Sequence, residues 1–256
     1  MSVKAGKLSV LVLFIVFTAV ISVALYLAMK GRKIKLRTIP GLDAIAEGVG
    51  RAVELRRPVA VDLHTGGLRS IDGVVALSYL GYVAKRAAAV AGDLVVATGS
   101  PETTPVAEDI VRAAYIASGK PDVFKPEMIR FLSPAQWGYT GGWLGLVGRE
   151  KPGMILLAGS MGAEVMIVAE AGQWAGAMQV ACSTSLVNIP FLVASCDYVI
   201  IGEENYAGAA IISQDPVQLG SIIGQDYVKL VIISLIVLGS LLATLGSKWL
   251  VDLTKM

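Results

Sequence analysis

The chain offers few residues that could do chemistry. Its only histidine, His64, stands two residues after Asp62. It closes the short β-branched run Pro58-Val-Ala-Val-Asp-Leu63, a position at the end of a strand where a general base could act. One histidine cannot build a histidine-rich metal site, and two cysteines, Cys182 and Cys196, are too few for a disulfide framework or a four-ligand zinc site. No metal and no cofactor is expected. There is no GxSxG elbow to supply a serine nucleophile, so His64 is a weak catalytic candidate set against the commoner use of a lone histidine as a hydrogen-bonded structural residue. Cys182, in Ala181-Cys-Ser-Thr-Ser185, reads as a buried small hydrophobe rather than a nucleophile. Glu203 and Glu204, adjacent in sequence, would point to opposite sides of a strand and so mark its exit to solvent.

Two glycine-containing turns are the candidate ligand seats. Thr98-Gly99-Ser100 and Gly159-Ser160-Met161-Gly162 each follow an apolar run, and Thr98, Gly99, Ser100, Gly159, Ser160 and Gly162 would offer hydroxyls and unencumbered backbone N–H groups to a small anion such as a nucleotide or sugar phosphate. Neither has the GxGxxG spacing of a dinucleotide site or the lysine of a P-loop, and chain-reversing turns with capping hydroxyls are the plainer reading. A third glycine-rich stretch, residues 136–147, holds Gly138 and Gly142, and separately Gly141 and Gly145, four residues apart. On a helix these would form small-residue strips suited to an oligomer contact. With no clean period in the stretch, an irregular glycine loop is the favoured expectation.

The elements that must hold these residues alternate. An amphipathic helix is expected over 42–55, strands over 58–63 and 93–98, helices over 74–90 and 102–118, and further strands over 128–132, 153–158, 179–182 and 198–202. Residues 163–178 carry no clean period. The pattern predicts an α/β domain over 39–227, with a mostly parallel Rossmann-like sheet and helices on both faces.

The flanks are apolar. Mean hydropathy is +0.67, with 55% hydrophobic and 16% charged residues, beyond the range of an ordinary soluble domain. Residues 8–29 are uncharged and long enough to cross a bilayer, as is the uncharged run 230–247 within a second span placed at 228–247. A tail at 1–7, a basic linker at 30–38 and a tail at 248–256 complete the division. Two spans offer too little protein to line a pathway and neither is expected to carry an intramembrane charge, which argues against a transporter. Five basic residues between Lys30 and Arg37 favour a cytoplasmic domain. Residues 39–227 hold 12 Lys plus Arg against 19 Asp plus Glu, an acidic balance that excludes a nucleic-acid partner. The lipid bilayer and further copies of the chain are the expected partners.

The segment Ile39-Pro-Gly-Leu-Asp-Ala-Ile-Ala-Glu-Gly-Val-Gly-Arg-Ala-Val-Glu-Leu55, with Arg57-Pro58-Val59, Ala97-Thr-Gly-Ser100 and Leu157-Ala-Gly-Ser160, resembles an uncharacterised family of prokaryotic membrane proteins, a domain of unknown function. The resemblance implies membrane anchoring and a shared α/β domain, and implies no catalytic residues. Two functions compete: an oligomeric scaffold or partner-binding module, which is favoured, and a binder of a small anionic ligand with hydrolase or transferase activity. A filled strand-end crevice would favour the first and a roomy polar one the second.

Overall fold

A computed structural model describes residues 8–30, 37–68 and 70–245. It divides into two units, the α/β domain Arg37–Ser213 and a second unit that contains two apolar helices.

In the domain, α2 (Pro40–Glu54), α3 (Ile71–Ala89), α4 (Thr103–Ala117), α5 (Gln136–Glu150), α6 (Val165–Ala175), α7 (Ile189–Ser195) and α8 (Glu203–Ser213) alternate with β1 (Val59–His64), β2 (Leu94–Thr98), β3 (Ile129–Phe131), β4 (Met154–Ser160), β5 (Met178–Ser183) and β6 (Tyr198–Ile201). Every strand pairing is parallel, and the strand order is β3-β2-β1-β4-β5-β6. This is the doubly wound order in which the chain reverses direction between the two central strands, opening a crevice at their carboxyl ends.

Strand period decides what reaches that crevice. On β1, Val59, Val61 and Leu63 join the core made with α2, α3, α4 and α8. Ala60 joins the opposite core, made with α5 and α6. Alternation therefore turns Asp62 toward the α5–α6 face. The β1–β4 ladder then shifts register between Asp62 and His64, and His64 takes a left-handed φ of 50°, an uncommon conformation for a residue with a side chain.

The stretch expected as a glycine loop is helix α5, and the physical reason is a matter of magnitude. Five glycines cost about 1 kcal/mol each relative to alanine. Tyr139, Trp143, Leu146 and Val147, one stripe at i, i+4, i+7 and i+8, are all fully buried in the core, and each contributes roughly 1.5–3 kcal/mol. The stripe outweighs the glycines. Residues 163–178, also without a clean period, contain α6 and the first residue of β5. Glu203 and Glu204 lie in the first turn of α8 rather than on a strand, where their charge suits the helix N-terminus.

The second unit pairs α1 (Leu8–Met29) with α9 (Pro216–Thr244). Both are long and apolar enough to cross a membrane. α9 begins well before the expected span: Asp215 caps it by accepting the Val217 N–H at 2.9 Å, and Pro216 occupies the first turn, so the last residues assigned to the domain, 214–227, belong to this unit. Of the expected basic linker, Arg37 belongs to the domain, where it pairs with Glu204, and residues 31–36 lie outside the described residues, as do the two expected tails.

Small residues join the helices. A β-carbon at Gly220 would stand 2.7 Å from Ala28 Cβ and 3.0 Å from Leu25 Cα, and one at Gly224 would stand 3.1 Å from Ile21 Cα. Glycines four apart face alanines four apart, the spacing that lets helix backbones approach. The antiparallel register sets charged residues of α9 beside the uncharged run of α1. Asp226 and Lys229, paired at 3.2 Å, come level with roughly residues 17–20 of α1, the middle of its uncharged run, when the register is extended at about 1.5 Å per residue. In a bilayer centred on α1, each ionised group costs roughly 2.5–3.5 kcal/mol, while lifting the pair out forfeits roughly 0.3–0.6 kcal/mol for each apolar residue of α1 raised into water. The two costs are of similar size.

Candidate functional site

His64 lies at the reversal point between β1 and β4, enclosed by groups from three places in the chain. Its Nε2 lies 2.6 Å from Glu164 Oε1, just before α6. Its Nδ1 faces Asp62 Oδ2 at 3.5 Å, and its backbone N–H donates to Asp62 Oδ1 at 2.7 Å. Tyr139, from α5, donates its hydroxyl to Asp62 and sets its ring edge-on to the imidazole, with centroids 4.5 Å apart. Gln136 donates to Glu164, and the Gly162 N–H donates to the same carboxylate at 2.9 Å. The side chains of Asp62, His64 and Glu164 are sealed from solvent.

Burial alone would depress the His64 pKa, but the charges and hydrogen bonds of Asp62 and Glu164 outweigh it and raise it above 6.5. Burial works to raise the Glu164 pKa. The donors Gln136, Gly162 N–H, its own N–H and His64 overcome this and hold the carboxyl below the ordinary range. Burial, reinforced by Asp62, pushes the Tyr139 phenol far up, so it stays protonated. The cluster sets the imidazole between two carboxyl groups.

The two titrations predict a stability window. A raised His64 pKa contributes stability that is complete below pH 6.5 and is lost as pH climbs through the folded value; a depressed Glu164 pKa contributes stability that is complete above 4.5 and is lost as pH falls through its folded value. Melting temperature of the full chain against pH should therefore plateau between these limits and decline on both sides. In His64→Gln the alkaline decline should vanish; an unchanged alkaline limb would contradict the assignment.

The expected ligand residues come together at this point, in roles the sequence reading did not anticipate. Gly159 and Ser160 are the last residues of β4 rather than a turn. Gly159 abuts the shifted end of β1: a β-carbon there would overlap the Leu63 carbonyl and stand 2.6 Å from His64 Cβ. Ser160 comes level with His64 across the ladder, yet both ring nitrogens of that histidine face carboxylates, so no hydroxyl is set against a base. Gly162 gives its N–H to Glu164, and a β-carbon on it would stand 2.7 Å from Gln136 Nε2. Thr98 bonds Thr104 at 2.7 Å, and the Ser100 carbonyl accepts from the Thr103 and Thr104 N–H groups in the turn that opens α4, which has no side-chain cap. Gly99 donates to the His64 carbonyl at 2.8 Å, and a β-carbon there would stand 2.7 Å from Thr65.

Glu164, Tyr139 and Gln136 were missed. The available signal for Glu164 was a carboxylate at the start of the helix that follows a central strand, where the helix dipole favours negative charge. Cys182 is buried, and burial raises its thiol pKa; burial and Asp197 push the Cys196 thiol up to about 12. Neither is a thiolate nucleophile at neutral pH. Among the described residues no cluster of three metal-ligating side chains occurs. Gly138 and Gly142 lie against Ser133 and Leu132 of their own chain, while Gly141 faces open space and Gly145 meets only Arg149 of its own helix.

The fold and its central cluster define a doubly wound α/β domain joined to two apolar helices. A family model for a domain of unknown function (DUF6754) matches residues 1–254, and the chain belongs to that family. Neither the curated proteins nor the solved structures compared with it contain a match.

Proposed function

We propose that the chain is a membrane-anchored, oligomeric partner-binding module rather than an enzyme. The observation that carries this reading is that the place where such a sheet would seat a ligand's anionic group is taken by the chain's own Glu164 carboxylate, bound by the Gly162 N–H, Gln136 and His64. The carboxylate does for these donors what a phosphate would do. An internal carboxylate at that point supports the module reading over the ligand reading. Large side chains stand exposed beside the strand carboxyl ends, Ile71 at 71%, Trp137 at 61%, Leu186 at 85% and Val187 at 72%, a composition that suits protein contact. The spans lie in the cell membrane, and Lys30, Arg32, Lys33 and Lys35 favour the cytoplasm for the domain.

The second reading, binding of a nucleotide or sugar phosphate that displaces Glu164, draws support from the left-handed backbone of His64, since strain of this kind concentrates at functional sites. The test uses the full chain in detergent. The module reading expects at least two copies by light scattering, and a melting temperature unmoved by nucleotides, sugar phosphates or inorganic phosphate. A ligand held at about 100 times its dissociation constant would stabilise by roughly 2.7 kcal/mol, so a clear upward shift would transfer the argument to the second reading.

A further inference from the structure

We infer that the cavity at the C-terminal ends of α5 and α6 seats an anchor of a partner protein: a large apolar side chain carried together with a carboxylate, as at the C-terminal residue of a chain. This names the partner chemistry of the module reading above and rests on it.

α5 and α6 end where β4 and β5 begin, so the cavity lies at the edge of the sheet opposite the His64 cluster. It measures about 330 Å³, with Leu144, Val147 and Ala171 as apolar lining and Arg57, Lys151 and Trp174 around them. Its charge runs against that of the domain. Residues 39–227 hold 19 acidic against 12 basic side chains, yet the lining has two cations and no carboxylate. Glu150, at the end of α5, is paired with Arg130.

Arg57 donates to the Ala175 carbonyl at 3.0 Å, which suits the C-terminus of α6. A guanidinium carries five N–H groups, and among the described residues this one has no other protein acceptor. The Lys151 ammonium has none there at all. Lys151 also takes a left-handed φ of 46°, at the position after a helix where glycine is the ordinary occupant; Gly176 fills the same position after α6.

The cavity is open-sided. Trp174 stands 79% exposed at its rim, and open space surrounds Gly148, which also lines it. A site for a free metabolite encloses most of its ligand. An open seat with an aromatic rim and two cations fits the anchor of a larger chain, whose carboxylate meets the guanidinium fork and the ammonium while its apolar side chain lies on Leu144, Val147 and the indole.

The probe is N-acetyl-L-phenylalanine, titrated into the full-length chain in detergent while tryptophan emission is excited where phenylalanine does not absorb. A saturable change with a dissociation constant on the order of 1 mM is expected for a ligand of this size. N-acetyl-L-phenylalaninamide, which lacks the charge, should bind at least about tenfold more weakly. Acetate and inorganic phosphate, which lack the apolar body, should give no response in the same range. Trp174→Phe should retain binding by equilibrium dialysis and lose the emission change, which places the response at this cavity. Lys151→Gly should weaken binding about tenfold while raising the melting temperature, because glycine relaxes the left-handed backbone; weaker binding by a more stable protein is not a folding defect. No saturable change in the wild type, equal binding of the amide, or an emission change that survives in Trp174→Phe would overturn this seat and leave the oligomeric reading to light scattering. Displacement of the probe by nucleotides would overturn the protein anchor as the occupant.

Discussion

Gly159→Ala is expected to be among the most damaging single-methyl substitutions in the domain. β1 and β4 are the two central strands, and their ladder shifts register where His64 turns left-handed. That shift brings the Leu63 carbonyl against the α-carbon of Gly159, so a β-carbon would overlap backbone on a strand paired on both sides. A flexible side chain could swing clear of a methyl group; a central strand cannot. Moving it would disturb both cores and the His64 cluster together. The cost should exceed about 4 kcal/mol, the range reached only by exceptional point changes, which for a domain of this size lowers the melting temperature by roughly 8–16 °C. Gly141→Ala is the control. Open space surrounds that position, and the exchange should stabilise α5 by up to about 1 kcal/mol. Thermal melting of the full chain, followed by tryptophan fluorescence, measures both. A Gly159→Ala protein melting with the wild type would show that the strands do not approach as described.

The sheet was readable from its parts because each part obeys a local rule. The run around Val59–Leu63 is buried on both faces and therefore almost continuously apolar, and alternation of such runs with helical patterns implies parallel strands. The start of α9 was readable in principle from Asp215-Pro216, a cap followed by the proline favoured at the first helical position, but attention to charge-free length moved the boundary to residue 228. α5 was obscured by its glycines, although Tyr139, Trp143, Leu146 and Val147 already stood at helical spacing. The site was least legible. His64 and Glu164 are 100 positions apart and meet only because β1 and β4 are neighbours, and no local pattern encodes strand order. A turn and a ligand opening look alike in a glycine-containing sequence; at Gly99, Gly159 and Gly162 the space beside the glycine is taken by the chain itself.

The second large effect is expected at Glu164, and it bears on the central claim that the chain closes its own anion seat. Glu164→Ala removes the carboxylate that binds the Gly162 N–H, Gln136 and the His64 imidazole, leaving Asp62 beside that ring. Breaking a buried ion pair by deleting one partner costs about 3–5 kcal/mol, a melting temperature lower by roughly 6–20 °C. What remains is a cavity of carboxylate size lined by donors, at the start of α6, and small anions should fill it. Formate, acetate or inorganic phosphate at about ten times its dissociation constant should return about 1.4 kcal/mol. The most direct measurement is therefore the melting temperature of the full-length wild-type and Glu164→Ala proteins as each anion is titrated at constant ionic strength. The filled seat predicts a saturable rise in Glu164→Ala alone. A saturable rise in the wild type, or none in the variant, would contradict it.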